Sequence, residues 1–235
     1  MKYKLIMFDM DGTLLPMDQE KFVNGYFSLL SKKLIEYVDP KEFVDATWSG
    51  VKAMGLSNGT KTNEEAFWDD FCKKTNTDIS IIKPICDDFY GSDFKLAKQF
   101  TNENKLAKQA VELAKQISEH VVLATNPLFP LIAQETRLSF IGLRKDDFDY
   151  ITAYEDQRFI KPNIRYYEEI LKKYNVKPFE CLMIGNDENE DGYPCSLLGI
   201  DCFIVDDCLI SSAKHPYSGK RGSFVDLIDY LKELA

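Results

Sequence analysis

The chain runs to 235 residues, 45% of them hydrophobic and 13% aromatic, which is ample material for one sizeable core or a core with a smaller satellite. Charged residues make up 29% with their signs interspersed, which excludes a disordered chain. The net charge of -9, with no basic face, excludes a nucleic-acid partner, because a polyanion needs such a face.

The six cysteines lie at 72, 86, 181, 195, 202 and 208 and form no CxxC pair. Cys72, Cys86, Cys181 and Cys202 sit inside apolar runs, so core packing is expected rather than zinc binding or a disulfide framework. No apolar stretch approaches the roughly 20 residues that span a bilayer. The first residues pass straight into a strand-like run, Tyr3 to Phe8, with no signal-peptide cleavage pattern. The expectation is a soluble protein of a reducing cytoplasm, with neither nucleic acid nor membrane as partner.

In chain order, the first element is the apolar run KLIMFD (4–9). From about Pro16 to Gly91 no convincing strand appears, only helical periodicity. Phe22, Val23, Tyr26, Leu29, Leu30, Leu34 and Tyr37 form one stripe, and Asp39-Pro40 starts a second helix that a break from Gly55 to Thr60 ends. Two more helices are expected around Glu64–Lys74 and Ser80–Tyr90. Residues 103–118 then place Leu106, Ala110, Leu113, Ala114 and Ile117 on one stripe, before the run VVLAT (121–125). DYITAYED (149–156) is a further, less regular strand candidate. Residues 163–174 form another amphipathic helix just after Pro162, followed by CLMIGN (181–186) and DCFIVD (201–206). The polar stretch 207–223 reads as a surface loop, and a last helix carries Phe224, Leu227, Ile228, Leu231 and Leu234.

Continuous apolar runs of this length suit a parallel sheet covered on both faces. Strands alternating with helices imply right-handed crossovers and a Rossmann-like, doubly wound α/β core. The predicted division is a core of residues 1–15 and 96–235 with an inserted helical bundle, residues 16–95.

FDMDGTLL (8–15) carries the chemistry. A buried strand delivers Asp9 and Asp11 at its carboxyl end, where open α/β sheets bind ligands. Residues i and i+2 of an extended chain point the same way, so both carboxylates face one site and repel unless a cation or proton is shared. Gly12 suits a tight turn whose N–H groups approach an anion.

This segment resembles the first motif of the haloacid dehalogenase-like hydrolase superfamily, and the other three motifs follow in order. VVLAT closes on Thr125, followed by Asn126 and Pro127; Lys161-Pro162 precedes a helix; and CLMIGN leads into Asp187-Glu188-Asn189-Glu190-Asp191. The resemblance covers about residues 1–15 and 100–206 and extends to the inserted helices by position and length only. The fourth motif departs from the family's frequent GD, because Asn186 follows Gly185. Either Asn186 replaces the first acid, or the register shifts so that Asp187 takes that role, which keeps a carboxylate and the DxxxD spacing to Asp191.

The resemblance implies a phosphatase of small phosphorylated metabolites in which Asp9 is the nucleophile and Asp11 the acid and then the base. It implies Mg2+ held by Asp9, the Asp11 carbonyl and Asp187, with Asn186 an alternative oxygen ligand. Thr125, Asn126, Gly12, Thr13 and Lys161 would hold the phosphoryl group, and Asp191 would orient Lys161 or a metal-bound water. The inserted helices would form a cap that reads the leaving group, and Trp48, Lys52, Asn58, Lys61 and Trp68 are the expected reading positions, although the tryptophans equally suit a helical core. Dehalogenases of this superfamily use no magnesium and no second acid two residues after the nucleophile, so Asp11 points to phosphoryl chemistry. A phosphomutase shares the same core. A non-catalytic phosphometabolite-binding module predicts a lost nucleophile or lysine, whereas Asp9, Asp11, Thr125 and Lys161 are all present. His120 opens a strand and His215 lies in the polar loop, so both are expected to be bystanders.

Overall fold

A computed structural model describes residues 2–235. Six strands form one parallel sheet in the order β3-β2-β1-β4-β5-β6, where β1 is Leu5–Phe8, β2 His120–Leu123, β3 Tyr150–Ile151, β4 Cys181–Gly185, β5 Asp201–Val205 and β6 Lys220–Gly222. The chain enters at β1, builds outward through β2 and β3, and then crosses back to β4 on the other side of β1. The strand order therefore reverses at β1, which puts its carboxyl end at the topological switch point where such sheets open a crevice.

Every residue of β1 is buried. Its side chains alternate between faces: Ile6 and Phe8 join one apolar cluster, Leu5 and Met7 the other. The first cluster takes in helices α5 (Ala107–Ile117) and α9 (Phe224–Glu233) through Ala110, Val111, Leu227 and Leu231. The second is covered by α7 (Ile164–Tyr174) and α8 (Tyr193–Leu198) through Tyr166, Tyr167, Ile170 and Cys195.

Between β1 and α5 lie four helices, α1 (Gln19–Leu34), α2 (Pro40–Gly55), α3 (Asn63–Thr75) and α4 (Ile79–Gly91), and a 3-10 stretch, Asp93–Phe100. Their starts are written in the sequence. Asp18, Asp39 and Asp78 accept backbone N–H groups as N-caps, and Thr62 forms a reciprocal box with Glu65. Their apolar faces meet around Tyr26, whose ring lies 5.7 Å from Phe94 and 5.3 Å from Phe129 between ring centres. Phe129 belongs to the loop before α6 (Leu131–Phe140), so the inserted helices pack on the segment that follows β2.

Two expectations change. The candidate strand over 149–156 shortens to Tyr150–Ile151, because after Thr152 the backbone turns and Tyr154 N–H donates to the Phe129 carbonyl instead. The supposed loop over 207–223 contains β6, which pairs in parallel with β5. As an exposed edge strand it has polar side chains and no apolar run to reveal it. Helices α6 and α8 also lie beyond the sequence reading. Among the described residues no helix is long and apolar enough to cross a membrane, and all six cysteines are free.

Candidate active site

The site is built on the loops after β1, β2 and β4. Asp9 follows β1 directly, and its N–H still pairs with the Ile184 carbonyl at 2.8 Å. The chain then folds on itself, with Leu15 N–H on the Met10 carbonyl and Gly12 N–H on the Leu15 carbonyl, both 2.8 Å. Gly12 has φ +85°, and a Cβ there would strike the Asn186 amide, so both the turn and the close approach require glycine. Gly185 is needed for a different reason: Asp191 folds beneath it, in the space a Cβ would fill.

Lys161 is buried between two carboxylates, with Nζ 2.9 Å from Asp9 Oδ1 and 2.6 Å from Asp191 Oδ1. The second oxygen of Asp191 accepts the N–H groups of Asn186 and Asp187, each at 3.1 Å. Asp191 thus receives both backbone and ammonium donors, while Asp9 has the shared ammonium and only a long contact from the Thr13 hydroxyl. Burial opposes the charge on Lys161, but Asp191 and Asp9 outweigh it and hold the ammonium well above its usual range. One cation cannot neutralise both acids. Burial, with Asp191 and Asp11 nearby, pushes Asp9 up to about 7 against the pull of Lys161.

Thr125 is buried and lines the same cavity as Asp9 and Asp11. Its carbonyl is occupied by the Thr152 hydroxyl (2.7 Å) and the Tyr166 hydroxyl (3.0 Å), which fixes the strand end. Asn126 accepts from Lys161 N–H at 3.3 Å and donates to Glu190 at 2.9 Å, tying the loops after β2 and β4 to the segment that carries the lysine. The Thr13 hydroxyl lies 3.0 Å from Asn186 Oδ1 and 3.5 Å from Asp9 Oδ2. Asp187 caps the wide helical turn Glu188–Gly192, with one carboxylate oxygen accepting Asn189 N–H (2.7 Å) and Glu190 N–H (2.9 Å).

Two charged residues of the site escaped the sequence reading. Glu190 lines the cavity, and burial, with Asp187, Asp191 and Asp9 nearby, pushes it up to about 8 against the opposing pull of Lys161. Arg137 of α6 is fully buried, ion-paired to the Asp11 carboxylate, hydrogen-bonded to Gln134 and stacked 4.3 Å from the Phe129 ring centre. A signal for it exists. Ala133, Gln134, Arg137 and Leu138 share one helical face, and all four are buried, so this arginine sits in an apolar stripe rather than on the polar side.

Asp9, Asp11, Thr125, Asn126, Lys161, Asn186, Asp187 and Asp191 converge on one cavity of about 310 Å³. Trp48 also lines it. Lys52, Asn58 and Lys61 do not: all three are exposed, Lys61 is ion-paired to Asp69, and Asn58 is spent on Thr60. Trp68 is buried among the inserted helices, against Phe67 and Phe71. His120 packs at a tilt against Tyr174 and His215 stacks on Tyr193, outside the cavity.

The donor set suits a hard divalent cation. Five carboxylates line the cavity against one lysine, and Arg137 compensates only Asp11. Asp11 Oδ1 is buried without a hydrogen-bond partner. Oxygen donors with excess negative charge are what Mg2+ requires. The same crowding has a consequence for the metal-free protein. Asp9 and Glu190 bind protons more tightly folded than unfolded, so their contribution to stability is full below about pH 4 and is lost as pH rises through about 7 to 8. Melting temperature in a chelator is therefore expected to fall between about pH 5 and 8, and magnesium is expected to restore it most at the alkaline end. A flat or rising chelator profile would contradict the crowding.

Arg137 orients Asp11 without reaching into the cavity. Arg137→Met is expected to cut kcat by about ten- to a hundredfold with KM nearly unchanged, the cost of misplacing Asp11. Arg137→Lys, which keeps the charge, should recover part of the loss. Equal losses for Met and Lys, or a change confined to KM, would remove the orienting role.

A parallel sheet that presents two aspartates at its switch point, with a lysine bridging the first to a later acid, places an acidic site in the crevice of a doubly wound α/β fold. The family profile described as haloacid dehalogenase-like hydrolase matches residues 3–192, and the chain belongs to this family. The glyceraldehyde 3-phosphate phosphatase of Methanothermobacter thermautotrophicus is 33% identical over 87 residues, 37% of this chain and 38% of that one. The match therefore spans well under half of that relative's length. Among solved structures, a predicted phosphoglycolate phosphatase from Haemophilus somnus superposes with a TM-score of 0.60 at 17% identity, covering 98% of both chains. L-2-haloacid dehalogenase from Xanthobacter autotrophicus does so at 0.60 and 13% identity, covering 99% of this chain and 100% of that one. A HAD phosphatase from Thermococcus onnurineus gives 0.58 and 18%, covering 97% of each. These structural likenesses carry the fold.

Proposed function

We propose that this hydrolase is a magnesium-dependent phosphatase of a small phosphorylated metabolite, working through an aspartyl-phosphate on Asp9. The observation that carries the reading is the pairing of a lysine-bound Asp9 with a second acid, Asp11, in one cavity. A dehalogenase needs the first acid alone, whereas ester cleavage also needs a proton for the leaving oxygen.

Asp9 attacks phosphorus in line. The Asp9 O–P bond forms as the ester P–O bond breaks, and Asp11 gives its proton to the departing alkoxide. Water then attacks the phosphoryl group, Asp11 takes its proton, and the Asp9 O–P bond breaks to release inorganic phosphate. Lys161 offsets the charge gathering on the phosphoryl oxygens, and Thr125 and Asn126 hold them. Mg2+, when bound, supplies a Lewis acid that polarises the phosphoryl group. Asp9 and the Asp11 carbonyl would hold it. From the fourth segment, the Thr13 hydroxyl shared between Asp9 and Asn186 supports Asn186 Oδ1 as a further ligand, with Asp187 offering the oxygen not spent on its turn. The inserted helices act as the cap that excludes water during the chemistry.

A panel of phosphate esters assayed for phosphate release with and without magnesium, beside Asp9→Asn, tests this. Magnesium-dependent release that the substitution removes is the expected result. Release that persists in Asp9→Asn, or no release from any ester by folded protein, would overturn it.

A further inference from the structure

The cavity has two unlike ends. At the carboxyl end of the sheet it carries the acids, Lys161, Thr125 and Asn126 already described, while the rest of its lining includes Phe22, Val23, Trp48, Val51, Leu128 and Phe129. The inserted helices contribute a single polar side chain to it, Gln19. Beyond this wall lies a second cavity of about 90 Å³, bounded by aromatic rings of α1 to α4 and sharing Val23, Trp48, Val51, Leu128 and Phe129 with the first. Trp48, at the junction, is half exposed although it is a large aromatic among apolar neighbours.

A polyhydroxylated leaving group is badly matched to these walls. Each sugar hydroxyl moved from water against Val, Leu and Phe side chains loses hydrogen bonds, and the one polar side chain of the inserted helices, Gln19, cannot replace them for several hydroxyls at once. A second phosphate fares no better, since Lys161 is taken by Asp9 and Asp191 and Arg137 by Asp11. The small cavity is below the roughly 150 Å³ at which an apolar cavity accepts benzene, so it suits a branched chain of about five carbons, or a ring with slight yielding of Trp48.

We propose that the leaving group is apolar, and that the substrate is the monophosphate of a short branched or aromatic alcohol, with its phosphate at Asp9 and its hydrocarbon seated between Trp48, Val51 and Phe129. This deepens the phosphatase reading and rests on it for turnover, though not for binding.

Two measurements separate the two claims. In magnesium, kcat/KM for 3-methylbutyl phosphate and benzyl phosphate is expected to exceed that for glycerol 3-phosphate and glucose 6-phosphate by about thirtyfold or more, the worth of burying a hydrocarbon of this size. Trp48→Ala and the milder Val51→Asn are expected to shrink that ratio to within a few fold, whatever they do to the absolute rates. Equal or better turnover of the polyol esters overturns the apolar site and leaves the phosphatase intact. Independently of turnover, 3-methylbutylphosphonate is expected to quench tryptophan fluorescence, at concentrations at least tenfold below those of 2,3-dihydroxypropylphosphonate, in wild type but not in Trp48→Ala. Such selective quenching without turnover of any ester keeps the apolar site and discards the phosphatase. Equal affinity for the two phosphonates discards the apolar site.

Discussion

Asp9→Asn is expected to abolish phosphate release, by about 10⁴-fold or more, while leaving the protein folded and more stable at pH 8. The activity loss follows from the amide's inability to form the phosphoryl bond, and single removals of a nucleophile cost on this scale. The stability gain follows from the burial of Asp9 at an incompletely neutralised position. Its carboxyl is pushed up to about 7 by burial and by Asp191 and Asp11, so ionising it at pH 8 costs the metal-free fold free energy that a neutral amide does not. Lys161 keeps Asp191 as its counter-ion in the variant. At pH 5 the wild-type carboxyl is already protonated in the fold, and the gain should be much smaller. Phosphate release and melting temperature in chelator at the two pH values check both halves. More than about a hundredth of wild-type activity would remove Asp9 as nucleophile.

Lys161→Met is expected to damage activity and stability together. The lysine is buried, and its removal leaves Asp9 and Asp191 facing one another without a cation. Breaking a buried pair by deleting one partner costs about 3–5 kcal/mol, or roughly 10 °C of melting temperature in a chain of this size at about 2–4 °C per kcal/mol. Turnover should fall by about 10³-fold, because the group that offsets the phosphoryl charge is gone. The stability loss should shrink as pH is lowered and the two acids take up protons, a sign opposite to that expected of a mere packing defect. Denaturant titrations at pH 5.5 and 8 measure the difference. A variant as stable as wild type at pH 8 would show that the lysine does not hold the acids together.

The legible parts of this protein are those fixed by short-range rules. The run Leu5–Phe8 reads as a buried strand, Asp9 and Asp11 leave it together, and Asp39-Pro40 announced its helix. Thr125, Lys161 and Asp191 were readable only through the family resemblance, because a threonine after a strand, a lysine before a helix and an acidic turn are each commonplace alone. The parts missed depend on contacts between elements. Glu190 belongs to a run of acids that would be solvated in isolation, and its place in the cavity, beside Asn126 and within the field of Lys161, depends on contacts between elements. The apolar wall at Phe22, Val23 and Val51 has the composition of any helical core, so nothing local says that it faces a cavity. Lys52, Asn58 and Lys61 attracted attention by charge and polarity, the property this wall lacks. The strand β6 joins the sheet through backbone pairing with β5, to which side-chain patterns are blind.

The segment after β5 contributes no reacting group, and the family profile ends before it, at residue 192. Yet the Cys208 carbonyl accepts the Asn186 amide at 2.7 Å, Ile210 N–H donates to the Asn186 carbonyl at 2.9 Å, and Glu188 N–H returns to the Ile210 carbonyl at 3.0 Å. Arg221 of β6 then joins Glu188 to Asp206. Because Cys208 and Ile210 act through their main chains, almost any side chain can stand at those two positions, but the number of residues between β5 and Ile210 cannot change. One residue inserted or removed there would slide the strap past Asn186 and twist the oxygens beside Asp9. The geometry of this stretch therefore constrains its length more tightly than the side chains at Cys208 and Ile210, a constraint that a residue-by-residue comparison of sequences does not register.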